Sequence, residues 1–215
     1  MLDALRRLFS RDRGEPVVVV SGLPRSGTSM MMRMLEAGGL EILSDGERTA
    51  DVDNPNGYFE FERVKHLEKE TDKSYLRAGR GKAVKVISFL VKELPDDNDY
   101  RVIFLRRHLD EVLASQQKMI DRLESADTDA ADEAMKEAFR NDIVRVRLHC
   151  RNRPNFELVE VQYRETIDDP AAMAAKVNAF LGGHLDEGAM RAAVDASLYR
   201  NRAGGRPVDA PERAP

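Results

Sequence analysis

Tryptophan is absent from these 215 residues, cysteine occurs once, and no apolar run approaches the ~20 residues that a membrane span requires. Each shortage excludes a class. The lone Cys150 has no intramolecular partner, and the four histidines (His66, His108, His149 and His184) are scattered. Neither a disulfide framework nor a zinc site is therefore expected. So little cysteine suits a reducing compartment, and a cytoplasmic location is the expectation. Surplus basic charge is also missing. The formal net charge is -4, whereas a duplex-binding domain carries an excess of Lys and Arg, so nucleic acid is not an expected partner. The opening stretch MLDALRRLFSRDRGE is amphipathic, with Leu2, Leu5, Leu8 and Phe9, but has no apolar core or cleavage site of a signal peptide. It reads as a short helix packed on the domain or frayed, with a membrane-surface helix as the other reading.

What is present is a globular composition, 42% hydrophobic and 33% charged, at a length that suits one α/β domain. Residues 1–202 read as that domain. The Pro-, Gly- and charge-rich 203–215 read as a mobile tail. The β-branched run Pro16–Ser21 predicts a buried strand, and Thr28–Ala37 predicts a helix stopped by Gly38 and Gly39. Further strands are predicted at Lys82–Ser88, Arg101–Leu105 and Phe156–Val161. A helix is predicted to begin within Gly57–Glu70 (GYFEFERVKHLEKE), with others from Leu109, over Asp132–Arg151 and over Pro170–Leu181, and an exposed link at Ser125–Asp132. Strands alternating with helices imply an α/β fold, an open and mostly parallel sheet flanked by helices. Ligands bind beyond the carboxyl ends of such strands.

Gly22-Leu23-Pro24-Arg25-Ser26-Gly27-Thr28-Ser29 leaves a strand and enters a helix, which is the setting of a phosphate-binding loop. A nucleotide triphosphatase loop reads G-x-x-x-x-G-K-S/T. Here Thr28 stands at the lysine position and the cation is Arg25, so the loop neutralises a different group and ATP or GTP hydrolysis is disfavoured.

The string PRSGTS resembles the 5′-phosphosulfate loop of sulfotransferases, P-K/R-S-G-T-S/T. The resemblance implies a P-loop fold and 3′-phosphoadenosine 5′-phosphosulfate (PAPS) as co-substrate. Arg25 would meet the bridging oxygen and sulfonate. Ser26, Gly27, Thr28 and Ser29 would hold the 5′-phosphate, with Pro24 counted in the same loop. A second sulfotransferase signature is an Arg at a strand end followed by a Ser eight positions on, and Arg107 and Ser115 in RVIFLRRHLDEVLASQ match it. By resemblance they bind the 3′-phosphate, where a planar guanidinium and a hydroxyl suit a dianion. A third stretch, FELVEVQYRETIDDPAAMAAKVNAFLGG, is similar to the family's Tyr-Glu-Asp-Leu region, although Arg164-Glu165-Thr166 replaces the last three residues. Tyr163 is the implied adenine contact, its other reading being a tyrosine that ends a core strand.

Sulfuryl transfer needs an in-line acceptor, charge stabilisation on the leaving oxygen and, in general, a base. Many cytosolic relatives place a histidine after the second strand, where this chain has Ile87 in Lys85-Val86-Ile87-Ser88. Other relatives use a glutamate after the first helix. Glu47 and Glu60 are the candidates here, with Glu60 favoured because Tyr58, Phe59 and Phe61 would line a pocket and raise its pKa. Lys85 is a third candidate, as a transition-state cation. A surface carboxylate is the other reading of each glutamate. No metal is expected, since a loop cation and a helix dipole suffice for a sulfonate. Arg200 and Arg202 are read as exposed, or else as folding back on the 3′-phosphate. A P-loop kinase or NTPase, or a non-catalytic nucleotide-binding protein, are the alternatives. A hydroxyl or amine acceptor and any oligomeric state stay open.

Overall fold

The structure is a computed structural model describing residues 13–45, 59–120 and 129–195. Four strands form one sheet: β1 (Val17–Gly22), β2 (Ala83–Ile87), β3 (Tyr100–Arg106) and β4 (Phe156–Gln162). Their order is β2-β1-β3-β4, and every pairing is parallel. All six residues of β1 are buried. A central parallel strand is covered on both faces, which is why this one is a continuous β-branched run rather than an alternating one.

The helices are α1 (Thr28–Ala37), α2 (Leu109–Ile120), α3 (Asp129–Arg151), α4 (Tyr163–Asp168), α5 (Pro170–Leu181) and α6 (Glu187–Ala192). Two apolar clusters sandwich the sheet. One joins Val18 and Val20 of β1 to the methionines of α1, to Met173 and Val177 of α5 and to Met190 of α6. The other joins Val17 and Val19 to Phe104 of β3 and to Ile143, Val146 and Cys150 of α3. Burial pushes the Cys150 thiol up to about 11. Helix α1 buries Met30, Met31, Met32, Met34 and Leu35, so the methionines are packing residues. Helix α5 starts with Pro170 at its first turn, and the Asp169 side chain accepts a hydrogen bond from Ala172 N at 3.0 Å.

Several elements depart from expectation. The stretch after Phe61 is a short 3₁₀ helix at Glu62–His66 instead of a long α-helix. Helix α3 begins at Asp129, three residues inside the expected link. Tyr163 opens the six-residue α4. Helix α6 and 3₁₀ helices at Ser74–Gly79 and Ser88–Glu93 were not anticipated. Among the described residues no helix is long and apolar enough to cross a membrane. The N-terminal amphipathic stretch (1–12), the 203–215 tail, Arg200, Arg202, Glu47 and Tyr58 lie outside the described residues.

Candidate functional site

The register of β1 on β3 sets Gly22 beside Leu105, so the turn after β1 and the turn after β3 emerge side by side. Close approach of neighbouring atoms dictates the glycines of the first turn. A Cβ at Gly22 would stand 2.8 Å from Leu105 O, and one at Gly27 would stand 2.3 Å from Tyr163 Cδ2. Between them Arg25 adopts φ 64, a left-handed conformation that costs a non-glycine residue about 1–2 kcal/mol. Gly27 also lies in the left-handed region and leads into α1, with no side-chain cap on the helix N-terminus. The backbone donors of the first turn are thus presented at the loop. Pro24, Thr28 and Ser29 are half-buried around it. Ser26 Oγ is buried and has no hydrogen-bond partner among the described residues.

The cations of the two turns are tied to each other. Arg25 Nε donates to Ser115 Oγ at 3.0 Å. Arg107 Nη1 donates to the Arg25 carbonyl oxygen at 3.1 Å, and Arg107 Nε donates to Glu111 Oε2 at 2.9 Å. The Arg107 and Glu111 side chains are only 8% and 6% exposed. Tyr163 completes the group, with its ring centroid 4.5 Å from the Arg107 guanidinium carbon. Burial pushes the Tyr163 phenol up, and the charges of Arg107 and Arg25 offset part of that rise. The ring is thus a neutral platform in the α1-side core. His108 Nδ1 accepts from Asp110 N at 3.2 Å, at the start of α2.

A second cluster lies on the edge strand β2. Lys85 Nζ donates to Glu60 Oε1 at 3.3 Å, and Lys65 Nζ lies 2.8 Å from Glu60 Oε2. Burial pushes the Glu60 carboxyl up, but the two ammonium groups outweigh it, and the net shift is downward from 4.5. The expected aromatic pocket that would raise this pKa is therefore corrected. Phe59 packs on the α1-side core and Phe61 on the opposite one, edge-on to Tyr75 with ring centroids 5.7 Å apart. Their side chains diverge to the two faces of the sheet. Phe59 itself has φ 51, a costly conformation for a bulky residue, next to the candidate base.

The sequence reading brought Arg25, Arg107, Ser115 and Tyr163 to one place, and they meet there. It missed Lys65 and the engagement of Glu111. The i,i+4 spacing of Arg107 and Glu111 was a signal for the latter. Lys65 had no comparable signal, because its contact depends on the path of the intervening chain. Among the described residues no group of three or more His, Cys, Asp or Glu is placed to hold a metal ion.

Residues 81–187, about half of the chain, match the sulfotransferase family model, and this span contains Arg107, Glu111, Ser115 and Tyr163. The chain belongs to the sulfotransferase family. The Gly22–Ser29 loop precedes the matched span, so its assignment rests on its own sequence and geometry. Two solved sulfotransferase domains share the fold. The domain of the Synechococcus PCC 7002 olefin synthase has a TM-score of 0.51 at 18% identity, covering 89% of this chain and 83% of that one. The domain from the curacin biosynthetic pathway has a TM-score of 0.53 at 10% identity, covering 91% and 94%. No sequence among curated proteins matches the chain.

Proposed function

We propose that this sulfotransferase-family protein moves a sulfuryl group from PAPS to a hydroxyl or amine acceptor. The observation that carries the reading is the contact between the two cationic turns, Arg25 on Ser115 and Arg107 on the Arg25 carbonyl. A donor with phosphate at both its 5′ and 3′ positions needs two such anion sites in one crevice. The residues fit the group. The uncapped α1 N-terminus and the buried, unsatisfied Ser26 hydroxyl supply donors for a phosphate, and Gly22 and Gly27 keep the cradle free of Cβ atoms.

On this reading Ser26, Gly27, Thr28 and Ser29 hold the 5′-phosphate, Pro24 shapes the turn, and Arg107 with Ser115 receives the 3′-phosphate. Tyr163, which adjoins both turns, flanks the adenosine. PAPS supplies the activated sulfuryl group. Glu60 takes the proton of the acceptor O–H or N–H as the acceptor–sulfur bond forms. The bond between sulfur and the 5′-phosphate oxygen breaks, and Arg25 stands against the charge that collects on that oxygen. The sulfated acceptor and 3′-phosphoadenosine 5′-phosphate (PAP) leave. Lys85 keeps Glu60 ionised and is itself a candidate transition-state cation. Glu47 is the second candidate base.

One observation favours a second reading. Two ammonium groups already occupy the Glu60 carboxylate, which suits a protein that binds the nucleotide without transfer. Calorimetric titration with PAP, ATP and 5′-AMP in the absence of magnesium tests the donor assignment. Tight PAP binding, lost in Arg107→Ala, is the expected result. Preference for ATP with magnesium would move a kinase or NTPase to the front.

A further inference from the structure

We propose that Glu111 is a positioning residue of the donor site, fixing the Arg107 fork before any nucleotide arrives. The inference rests on the donor reading above and adds to it a residue that makes no nucleotide contact of its own.

The contrast with its neighbour is informative. Asp110 and Glu111 both stand in the first turn of α2, where a carboxylate favours the helix dipole. Asp110 does this in solvent, 56% exposed, with Lys136 at 2.8 Å. Glu111 is buried against Arg107, and burying an ion pair costs several kcal/mol of desolvation that good geometry must repay. A helix start needs only the first arrangement. The second accounts for the direction of Arg107: with Nε held by Glu111, Nη1 meets the carbonyl of Arg25. Glu111 and Ser115 lie one turn apart on the same side of α2, so this short helical face holds both loop cations, Arg107 through Glu111 and Arg25 through Ser115. The four residues form a closed circuit. Within it the hand-off to the 3′-phosphate depends on an acceptor for Arg107 Nε, supplied here by a carboxylate that a bare charge count would class as repelling the ligand.

The test is the ratio of Kd for 5′-AMP to Kd for PAP in the full-length chain, for wild type, Glu111→Ala, Glu111→Gln, Arg107→Ala and the Arg107→Ala/Glu111→Ala double variant. Glu111→Ala is expected to lower the ratio about 10- to 30-fold, the loss of one hydrogen bond to a charged group. Glu111→Gln retains an acceptor for Nε and is expected to stay within about threefold of wild type. In the Arg107→Ala background the Glu111 substitution is expected to change nothing further, a non-additivity that general loosening of the fold would not produce. The double variant leaves no unpaired buried charge, so it remains interpretable if Glu111→Ala alone fails to fold. Should that happen, a wild-type ratio in Glu111→Gln supports the inference and a ratio collapsed to that of Arg107→Ala overturns it. An unchanged or higher ratio in Glu111→Ala, or an equal effect with and without Arg107, overturns it as well. A wild type that fails to prefer PAP over 5′-AMP sinks the donor reading itself, and Glu111 with it.

Discussion

The guanidinium of Arg107 donates to the backbone carbonyl of Arg25 at 3.1 Å, so the residue assigned to the 3′-phosphate also pins the residue assigned to the sulfonate. Arg25 is one of the non-glycine residues with positive φ, and Arg107 holds its peptide in that orientation.

Two properties of Arg25 separate in mutants. Arg25→Ala removes the cation and keeps the strained φ, whereas Arg25→Gly removes both. Arg25→Gly is expected to be more stable than Arg25→Ala by about 1 kcal/mol in urea denaturation. Both are expected to lose about 100- to 1,000-fold in kcat for sulfuryl transfer, the usual effect of deleting one group that stabilises developing charge.

Gly27→Ala places a methyl group into the Tyr163 ring at a φ of 99. It is expected to destabilise the protein by about 1–3 kcal/mol, as overpacking does. Tyr163→Ala is expected to relieve the clash, so that the double variant is destabilised by less than the sum of the two single changes. Chemical denaturation of the four proteins measures the coupling.

Glu60→Gln is expected to lower kcat about 100- to 10,000-fold while PAP affinity stays at the wild-type value. Burial raises the Glu60 carboxyl, and Lys65 and Lys85 lower it further than that, to below 4.5. The base form therefore persists through mildly acidic solution, and the acid limb of kcat/KM is expected below pH 4.5. Lys85→Met removes one of the two ammonium groups and is expected to move that limb upward. A limb that stays in place in both variants assigns the base elsewhere, with Glu47 first in line.

Glu160 on β4 ties the sheet to α3. Arg106 Nη1 approaches its Oε2 at 3.0 Å and Arg147 Nη2 at 2.7 Å. Burial raises the Glu160 carboxyl, but Arg147 and Arg106 more than reverse this, leaving it below 4.5. A carboxyl depressed in the folded state contributes stability above its unfolded pKa and loses it as pH falls through the folded value. The melting temperature of the wild type is expected to fall as pH drops below 4.5, and Glu160→Gln is expected to flatten part of that slope. Parallel slopes would remove Glu160 from the acid response.

Much of this was legible in the residues. Helices α1 and α5 begin and end where the pattern placed them, because glycines stop both and Asp169-Pro170 starts the second. The strands came within a residue or two, since buried parallel strands read as unbroken apolar runs. The short elements were not legible. The six residues of α6 make fewer than two helical turns, too few for an apolar stripe to repeat, and its place is set by Met190 packing against Gly38, where a Cβ would stand 2.6 Å from Met190 Cγ. At the site, Arg25, Arg107 and Ser115 sat in strings whose spacing encodes local geometry. The surroundings of Glu60 arise from Lys65, a few positions on in the same stretch, and from Lys85 on β2, and the aromatic neighbours Phe59 and Phe61 gave no hint of two ammonium groups closing on one carboxylate. Aromatic neighbours in sequence are a poor guide to a carboxyl's pKa when the fold turns those rings away and brings ammonium groups in.

The strand order β2-β1-β3-β4 acts as a ruler across the crevice. Each strand delivers one component: Lys85 with Glu60 at β2, the Arg25 turn at β1, Arg107 at β3 and Tyr163 at β4. Adjacent strands lie ~4.8 Å apart, so the four stations span about 14 Å in a row. On the proposed assignment the nucleotide lies toward one end of the row and the acceptor arrives from the other. The chain can therefore remodel its β2 margin to suit a new acceptor while the nucleotide stations, locked to one another through α2, keep their spacing.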